Sequence, residues 1–265
     1  MTDLNYLKNI INGRTVAIMI HGSSINELEK RILEFKDYDI CWSSLGVFPM
    51  MEDFILSKIN KKLEIVLDCA TVAESLLENY ELNVRVPKLE PYLSREDKNI
   101  WITTHGLIRD SVSKLYPHFL DLYGSKMVQV DSFFPLDNRS KWMDVPNSVT
   151  FLIASAIAGG ASKIIVFGLD GYRGSFKGGI YAYYKPHLIK KEREAALGTL
   201  EDPGINRDTD YFQDRFSKIL EEYYKLFSNP CPIYNCSPDT VYNVIPKINY
   251  NRLSEVLNER TRLSV

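Results

Sequence analysis

Residues 147–172 read NSVTFLIASAIAGGASKIIVFGLDGY, and this stretch decides the fold class. Ser148 to Gly160 is apolar on nearly every side and closes on a glycine pair, the pattern of a buried helix ending in a left-handed turn. Lys163 to Gly168 follows at once as a short run rich in Ile, Val and Phe, which reads as a strand covered on both faces, a property of parallel sheets. A helix feeding directly into such a strand is half of a βαβ unit. The same alternation extends outward in both directions. Toward the N-terminus, Val16 to Ile20 reads as a strand and Ile25 to Phe35 as a helix. Tyr38 to Trp42, Leu63 to Leu67, Ile100 to Thr103 and Met127 to Val130 read as further strands, with a helix predicted over Phe48 to Ile59. Toward the C-terminus, Tyr211 to Phe227 has helical periodicity, Pro232 to Tyr234 is a last short strand, and a charged surface helix is expected from Tyr250 to Arg262. Strands alternating with helices predict a Rossmann-like, doubly wound, mostly parallel α/β sheet. One domain over 1–265 is expected, with residues 171–207 as a lid-like insertion after the GLDGY strand and 247–265 as the C-terminal helix.

Composition narrows the function classes. The chain has 265 residues, of which 45% are hydrophobic, 12% aromatic and 25% charged, an ordinary globular make-up. Its 32 basic and 34 acidic residues leave a formal charge of -2, so the uniformly basic footprint of a nucleic-acid binder is absent. Cys41, Cys69, Cys231 and Cys236 form no CxxC pair and are too thinly spread for a disulfide scaffold, and they read as reduced, mostly buried thiols. No run approaches the ~18 apolar residues of a membrane span, and the start lacks a basic region followed by an apolar stretch. A cytoplasmic protein is expected, working on small molecules, with homo-oligomerisation left open.

In an open parallel sheet, ligands bind beyond the carboxyl ends of the strands. The first such loop is His21-Gly22-Ser23-Ser24. Gly22 permits close backbone approach, the serines are hydroxyl donors, and the amides of the next helix face the same way, a combination suited to phosphate. The competing reading is that Ser24 caps the helix, with Glu27 completing a capping box. Ser43-Ser44-Leu45-Gly46 is the second loop, facing a ribose or base or forming a plain turn. Asp68, Asp131 and Asp170 each fall at or near a strand end, where carboxylates hold a divalent cation or ribose hydroxyls. Asp170 stands out because Gly168 and Gly171 flank it and Tyr172 follows.

From Gly171 to Arg207 the texture changes to glycines, the tyrosines Tyr181, Tyr183 and Tyr184, and the basic residues Lys185, Lys190, Lys191 and Arg193. A lid whose Arg207, Lys185, His187, Lys190 and Lys191 close on a diphosphate would look like this, and so would a linker with a solvated basic face. Asp208 or Thr209 is expected to cap the long helix that follows. His21 and His187 are the histidines within reach of a ligand. After the last strand, Asn235, Ser237 and Asp239 sit in a polar turn placed to contact a base or phosphate, or simply to turn the chain.

Taken in order, HGSS (21–24), CWSS (41–44), residues 147–172, NRDTDYF (206–212) and IYNCSPDT (233–240) resemble the MptE-like domain family. That family includes archaeal 6-hydroxymethylpterin diphosphokinases and proteins of bacterial surface-glycan clusters. The chain is more distantly similar to bacterial CMP-sialic acid-dependent sialyltransferases. The sialyltransferase resemblance implies that Gly22, Ser23 and Ser24 form a nucleotide-phosphate loop, that Ser44 lies where an asparagine contacts the donor, and that Asp170 belongs to a strand-end acidic motif. It also implies that Tyr172 and Tyr181 or Tyr183 bind phosphate, and that the 233–240 turn contacts cytidine. That family's catalytic histidine falls near Ile205 or Asn206 here, and its arginine near Val145, leaving His187 to supply a base from the lid.

The leading expectation is therefore a CMP-sugar-like glycosyltransferase of surface-glycan synthesis, with Asp170, His187 and Tyr172 catalytic and no cofactor required. It would take a nucleotide-activated donor and a glycan acceptor. One alternative is a Mg2+-dependent diphosphokinase acting on a pterin-like alcohol, with Asp68, Asp131 and Asp170 as metal ligands. The other is a catalytically degenerate nucleotide- or sugar-binding module.

Overall fold

A computed structural model of the chain describes residues 3–20, 22, 24–45, 49–68, 89–103, 117–129, 148–170, 204–238, 240 and 242–258. Its centre is a seven-stranded sheet. The strands are β1 (Thr15–Met19), β2 (Ile40–Leu45), β3 (Ile65–Asp68), β4 (Ile100–Thr103), β5 (Met127–Gln129), β6 (Lys163–Phe167) and β7 (Ile233–Asn235), in the spatial order β5-β4-β3-β2-β1-β6-β7. Every pairing among them is parallel. The architecture is the expected Rossmann-like α/β class, and "mostly parallel" becomes fully parallel across these seven strands.

Helices cover both faces, which is why the strands are apolar on both. On one face, α1 (Asp3–Ile11), α5 (Ser148–Ala158) and α6 (Gly204–Phe227) pack on Val16 and Ile18 of β1 and Ile164 and Val166 of β6. On the other, α2 (Ile25–Arg31) with its 3-10 extension Ile32–Phe35, α3 (Pro49–Ser57), helical residues 89–93, α4 (Pro117–Tyr123) and α7 (Leu253–Asn258) pack on Ala17, Met19, Trp42, Trp101, Ile165 and Phe167. Alternate residues of each strand thus feed two separate cores, as the two-residue period of a strand requires. Helix α5 is buried along its length from Val149 to Ala158, and the chain leaves it through Gly160 at φ 80°, the left-handed cap that the glycine pair predicts.

Several elements differ from the sequence reading. Strand β2 starts at Ile40 and runs to Leu45, so Ser43 and Ser44 are strand residues and not a loop. Helix α6 already begins at Gly204, which places Asn206 to Asp210 inside it; Asp208 and Thr209 are not its caps, and the last four residues of the expected 171–207 insertion are helical. The C-terminal helix opens as a 3-10 turn, Tyr250–Arg252, capped by the Asn249 side chain accepting from the Asn251 amide, and is α-helical over Leu253–Asn258. Helix α1 has no counterpart in the sequence reading, although Leu4, Leu7, Ile10 and Ile11 carry helical spacing. Residues 171–203, including the helix expected from His187 to Leu197, lie outside the described residues.

Candidate functional site

The strand order reverses beside β1. The chain lays β1 to β5 in one direction, then returns to place β6 and β7 on the other side of β1. Helices that follow β1 and β6 therefore pack on opposite faces, and the carboxyl ends of these two strands are the position where open α/β sheets place a ligand crevice. The loops leaving β1 and β6 are HGSS and GLDG.

These two loops are fastened together. Pairing continues past the strands, with the Ile20 amide donating to the Phe167 carbonyl at 2.9 Å and the Gly22 amide to the Gly168 carbonyl at 3.0 Å. The Ser24 amide donates to Oδ2 of Asp170 at 2.9 Å, and the Ser24 hydroxyl donates to Oδ1 of the same carboxylate. Glycine is required on both sides. A Cβ on Gly22 would lie 2.2 Å from the Gly168 carbonyl oxygen and 2.6 Å from Asp170 Oδ2, and one on Gly168 would lie 2.0 Å from the Ile20 carbonyl oxygen.

Aromatic rings pack around the carboxyl end of β6. Phe167, the residue before Gly168, stacks on Trp42 with ring centroids 6.3 Å apart, and Phe35 meets both rings edge-on at 5.7 and 5.8 Å. Tyr250 lies on the other side of Phe167 at 6.0 Å, under the Arg31 guanidinium at 5.2 Å. Burial pushes the Tyr250 phenol above its ordinary range, reinforced by Cys236 and Glu27 and opposed by Arg31. The Cys236 thiol is pushed up to about 12 by burial, so it is no nucleophile at neutral pH.

The structure brings Gly22, Ser24 and Asp170 together, as the sequence reading expects, but not in the expected roles. Ser24 does not cap α2: its backbone is helical and its side chain makes no capping bond, so the capping box with Glu27 is not formed. Nor are its donors open to a phosphate, because Asp170 takes both. The carboxylate fills the position at the start of α2 where an anion would otherwise sit.

Ser44 is fully buried, with its hydroxyl 2.8 Å from Glu52 Oε1 and 3.1 Å from the Leu45 carbonyl, and it pins the first turn of α3 to β2. Asn235 is likewise fully buried and structural. Its side-chain amide donates to the Leu169 carbonyl at 3.2 Å and to Thr240 Oγ1 at 3.1 Å, and its Oδ1 accepts from the Ser237 amide at 3.0 Å. This ties the turn after β7 to the GLDG loop. Ser237 is buried too, and its hydroxyl has no partner among the described residues.

Of the carboxylates expected as metal ligands, Asp68 ends β3, three strands from β6, so at ~4.8 Å per strand the backbones of β3 and β6 lie about 14 Å apart. Asp131 lies outside the described residues. No cluster of three or more His, Cys, Asp or Glu side chains suited to a metal exists among the described residues. His21, Ser23, Tyr172, Tyr181, Tyr183, His187 and Asp239 also lie outside the described residues. His118 is almost fully exposed, as expected of a surface histidine.

One residue at this edge escaped the sequence reading, and so did the contact of another. Glu52 is a completely buried acid whose only local signal is its place in the first turn of a helix. Gly168 was visible as part of GLDGY, but its contact with Ile20 depends on β6 lying beside β1, which spacing alone does not give. No protein-family model and no curated protein matches this chain. Among the described residues no helix is long and apolar enough to cross a membrane.

Proposed function

We propose that this protein is a transferase that binds a nucleotide-activated sugar across the carboxyl ends of β1 and β6 and passes the glycosyl group to an acceptor hydroxyl, in surface-glycan synthesis. The observation that carries the reading is the reversal of strand order at β1, with the two loops of the switch point fastened at their glycines and at Ser24 and Asp170. Crevices of this kind hold nucleotides and other phosphorylated small molecules in open α/β sheets. The motif order HGSS, GLDGY and IYNCSPDT supports the choice of a CMP-sugar over other donors.

In the proposed reaction the acceptor oxygen attacks the anomeric carbon. The bond from that carbon to the phosphate oxygen breaks, the nucleotide leaves as an anion, and the acceptor proton passes to a carboxylate or imidazole. Asp170 or His187 is the base, and Tyr172, Tyr181 and Tyr183 stabilise the departing phosphate. No metal enters this scheme.

Calorimetry with CMP, UMP and ADP, with and without Mg2+, tests it, followed by CMP release from a CMP-sugar. The expected result is cytidine-selective binding independent of Mg2+, with turnover abolished by Asp170→Asn or Tyr172→Phe. Affinity for no cytidine nucleotide refutes the reading. Mg2+-dependent conversion of ATP to AMP with a hydroxymethylpterin would establish a diphosphokinase instead, and binding without turnover of any donor a non-catalytic module.

A further inference from the structure

All seven strands of the sheet are complete by Asn235, and the segment from Pro246 meets their backbone at one isolated bridge. There the Asn235 amide donates to the Pro246 carbonyl at 2.9 Å and the Ile248 amide to the Asn235 carbonyl at 3.0 Å. The chain then runs back along the face of β6 that Ile165 and Phe167 occupy. Tyr250 rests on Phe167 near the carboxyl end of the strand, and Leu253 and Val256 are buried in the same core. At the start of the strand, the buried Lys163 ammonium donates to the Val256 carbonyl. That carbonyl is among the last four of α7, which have no partner within the helix. Arg31 of α2 donates to Asn251 Oδ1 at 3.0 Å, and Asn258 Nδ2 donates to the Tyr38 hydroxyl at 3.4 Å.

Two features make this attachment separable. Helix α7 has six residues, where about 12 to 15 are needed for a helix to persist alone in water, so its order comes from packing on β6. Leaving the sheet breaks no strand pairing beyond the bridge at Asn235, and it returns the Lys163 ammonium to water, which recovers part of the cost of burying a charge. Cys236 reports on the same face. It is buried in the core that holds Tyr250, whose hydroxyl faces its thiol, whereas Cys41 is buried in the core on the opposite face of the sheet.

We infer that residues 246–258 are a strap that opens as one unit while the sheet stays folded, baring Ile165, Phe167, Cys236 and the Lys163 ammonium on one face of β6. Closed, the strap braces Phe167, the residue before Gly168, against α2 through Tyr250 and Arg31. Open, it takes that brace from the base of the GLDG loop. The device is independent of which ligand the loops receive.

Native-state hydrogen exchange of the full chain in a series of sub-denaturing urea concentrations tests it, with mapped thiol labelling as a second readout. Amides of Ile248 and of Arg252 to Asn258 are expected to exchange at least tenfold faster than those of β1, with a shallow urea dependence, because opening the strap exposes little surface. Ile153→Val trims the core on the opposite face, which stays folded when the strap opens. It is expected to quicken β1 exchange and Cys41 labelling severalfold and to leave the strap amides and Cys236 unchanged. Leu253→Ala removes packing from the strap itself and is expected to quicken exchange of its amides and labelling of Cys236 by a common factor of about ten or more. Strap amides that follow urea as steeply as β1, or that quicken in Ile153→Val by the same factor as β1, would overturn the inference, since the segment would then open only with the whole chain. A Leu253→Ala protein whose strap amides quicken without Cys236 would overturn it as well, since helix α7 would then fray without uncovering β6. If Leu253→Ala does not fold, the urea series on the wild-type chain and Ile153→Val decide.

Discussion

Replacing Gly22 by alanine puts a methyl group 2.2 Å from the Gly168 carbonyl oxygen, 2.6 Å from Asp170 Oδ2 and 2.9 Å from Asp170 Cγ. The first neighbour is backbone, fixed by the pairing of β6 with β1, so the loop must move by roughly 1 Å to reach an ordinary contact. If the loop lifts off β6, it stretches or breaks the 3.0 Å bond from Gly22 to Gly168 and both Ser24 bonds to Asp170. A neutral hydrogen bond is worth about 1 kcal/mol and one to a charged group about 1.5 to 3 kcal/mol, with water recovering part of each at this half-exposed site. If the loop stays, overpacking costs a similar ~1–3 kcal/mol. Either route gives a loss near 3 kcal/mol, which for a chain of this size is a fall in Tm of about 6–12 °C.

Gly13→Ala is the control. Nothing lies within 4 Å of its Cβ position, and the cost there is only the left-handed backbone at φ 76°, about 1–2 kcal/mol. Gly168→Ala combines both faults, with φ 76° and a contact of 2.0 Å to Ile20, and should be the worst of the three. Thermal melts followed by circular dichroism give the order directly. A Gly22→Ala protein no less stable than Gly13→Ala would refute the close packing of the two loops, and with it the switch-point crevice.

Acid sensitivity follows from Asp97. Burial raises its carboxyl, but hydrogen bonds and charge from Lys62 and Arg95 outweigh that, so the folded value lies below the ordinary 3.8. A depressed carboxylate contributes stability above its unfolded value that disappears as the pH falls through the folded one. Asp97→Asn should therefore show a shallower loss of stability below about pH 4 in urea titrations, and an unchanged acid limb would count against the Lys62–Asp97–Arg95 contacts. The thiols give a second check. Burial pushes Cys231 and Cys236 up to about 12 and Cys41 well above its ordinary value. At pH 8 the native protein should expose none of these three to a disulfide reagent within minutes, and all of them after unfolding. Fast labelling of Cys236 would contradict its burial.

The α/β class was legible because strands such as Lys163–Phe167, buried on both faces, are written mostly in apolar residues, here Ile164 to Phe167, and because a helix as apolar as Ser148–Ala158 has to lie between other elements. Ends were less legible. Ser43 and Ser44 look like a loop in isolation, yet Ser43 continues β2 by bonding the Ala17 carbonyl at 2.9 Å and Ser44 by meeting Glu52, contacts made across 26 and 8 residues of sequence. Asp208 and Thr209 look like caps because the helix start depends on Pro203-Gly204, which also reads as a loop. For the site, the residue types after β1 and β6 were visible and their partners were not. Nothing local to HGSS announces that Asp170, 146 residues away, will take the donors that a phosphate would need.

The two edges of the sheet are built from different chemistry, and the difference argues for where binding occurs. At the amino edge, the Arg14 guanidinium forks onto Glu64 at 2.7 and 2.9 Å and reaches Asp39 and the Ile10 carbonyl, joining α1 to the starts of β2 and β3. The Tyr92 hydroxyl lies 2.9 Å from the carbonyls of both Glu64 and Ile100. Arg95 spans Asp53, Asp97 and the Leu63 carbonyl, and the three protons of Lys126 meet Leu93, Arg95 and Asn99. Long charged side chains thus bridge β1 through β5 and leave little there for a ligand to displace. At the carboxyl edge, the described contacts that join the loops include Gly22 on Gly168, Ser24 on Asp170 and the Asn235 amide on the Leu169 carbonyl, none of them made by a long charged side chain. Breaking the Ser24–Asp170 pair costs the fold a contact between two loops and leaves the pairing of β1 with β6 in place. Substitutions at Arg14 or Arg95 should then change stability with little effect on ligand affinity, whereas those at Gly22, Ser24 or Asp170 should change both, because fold and site meet in these two loops.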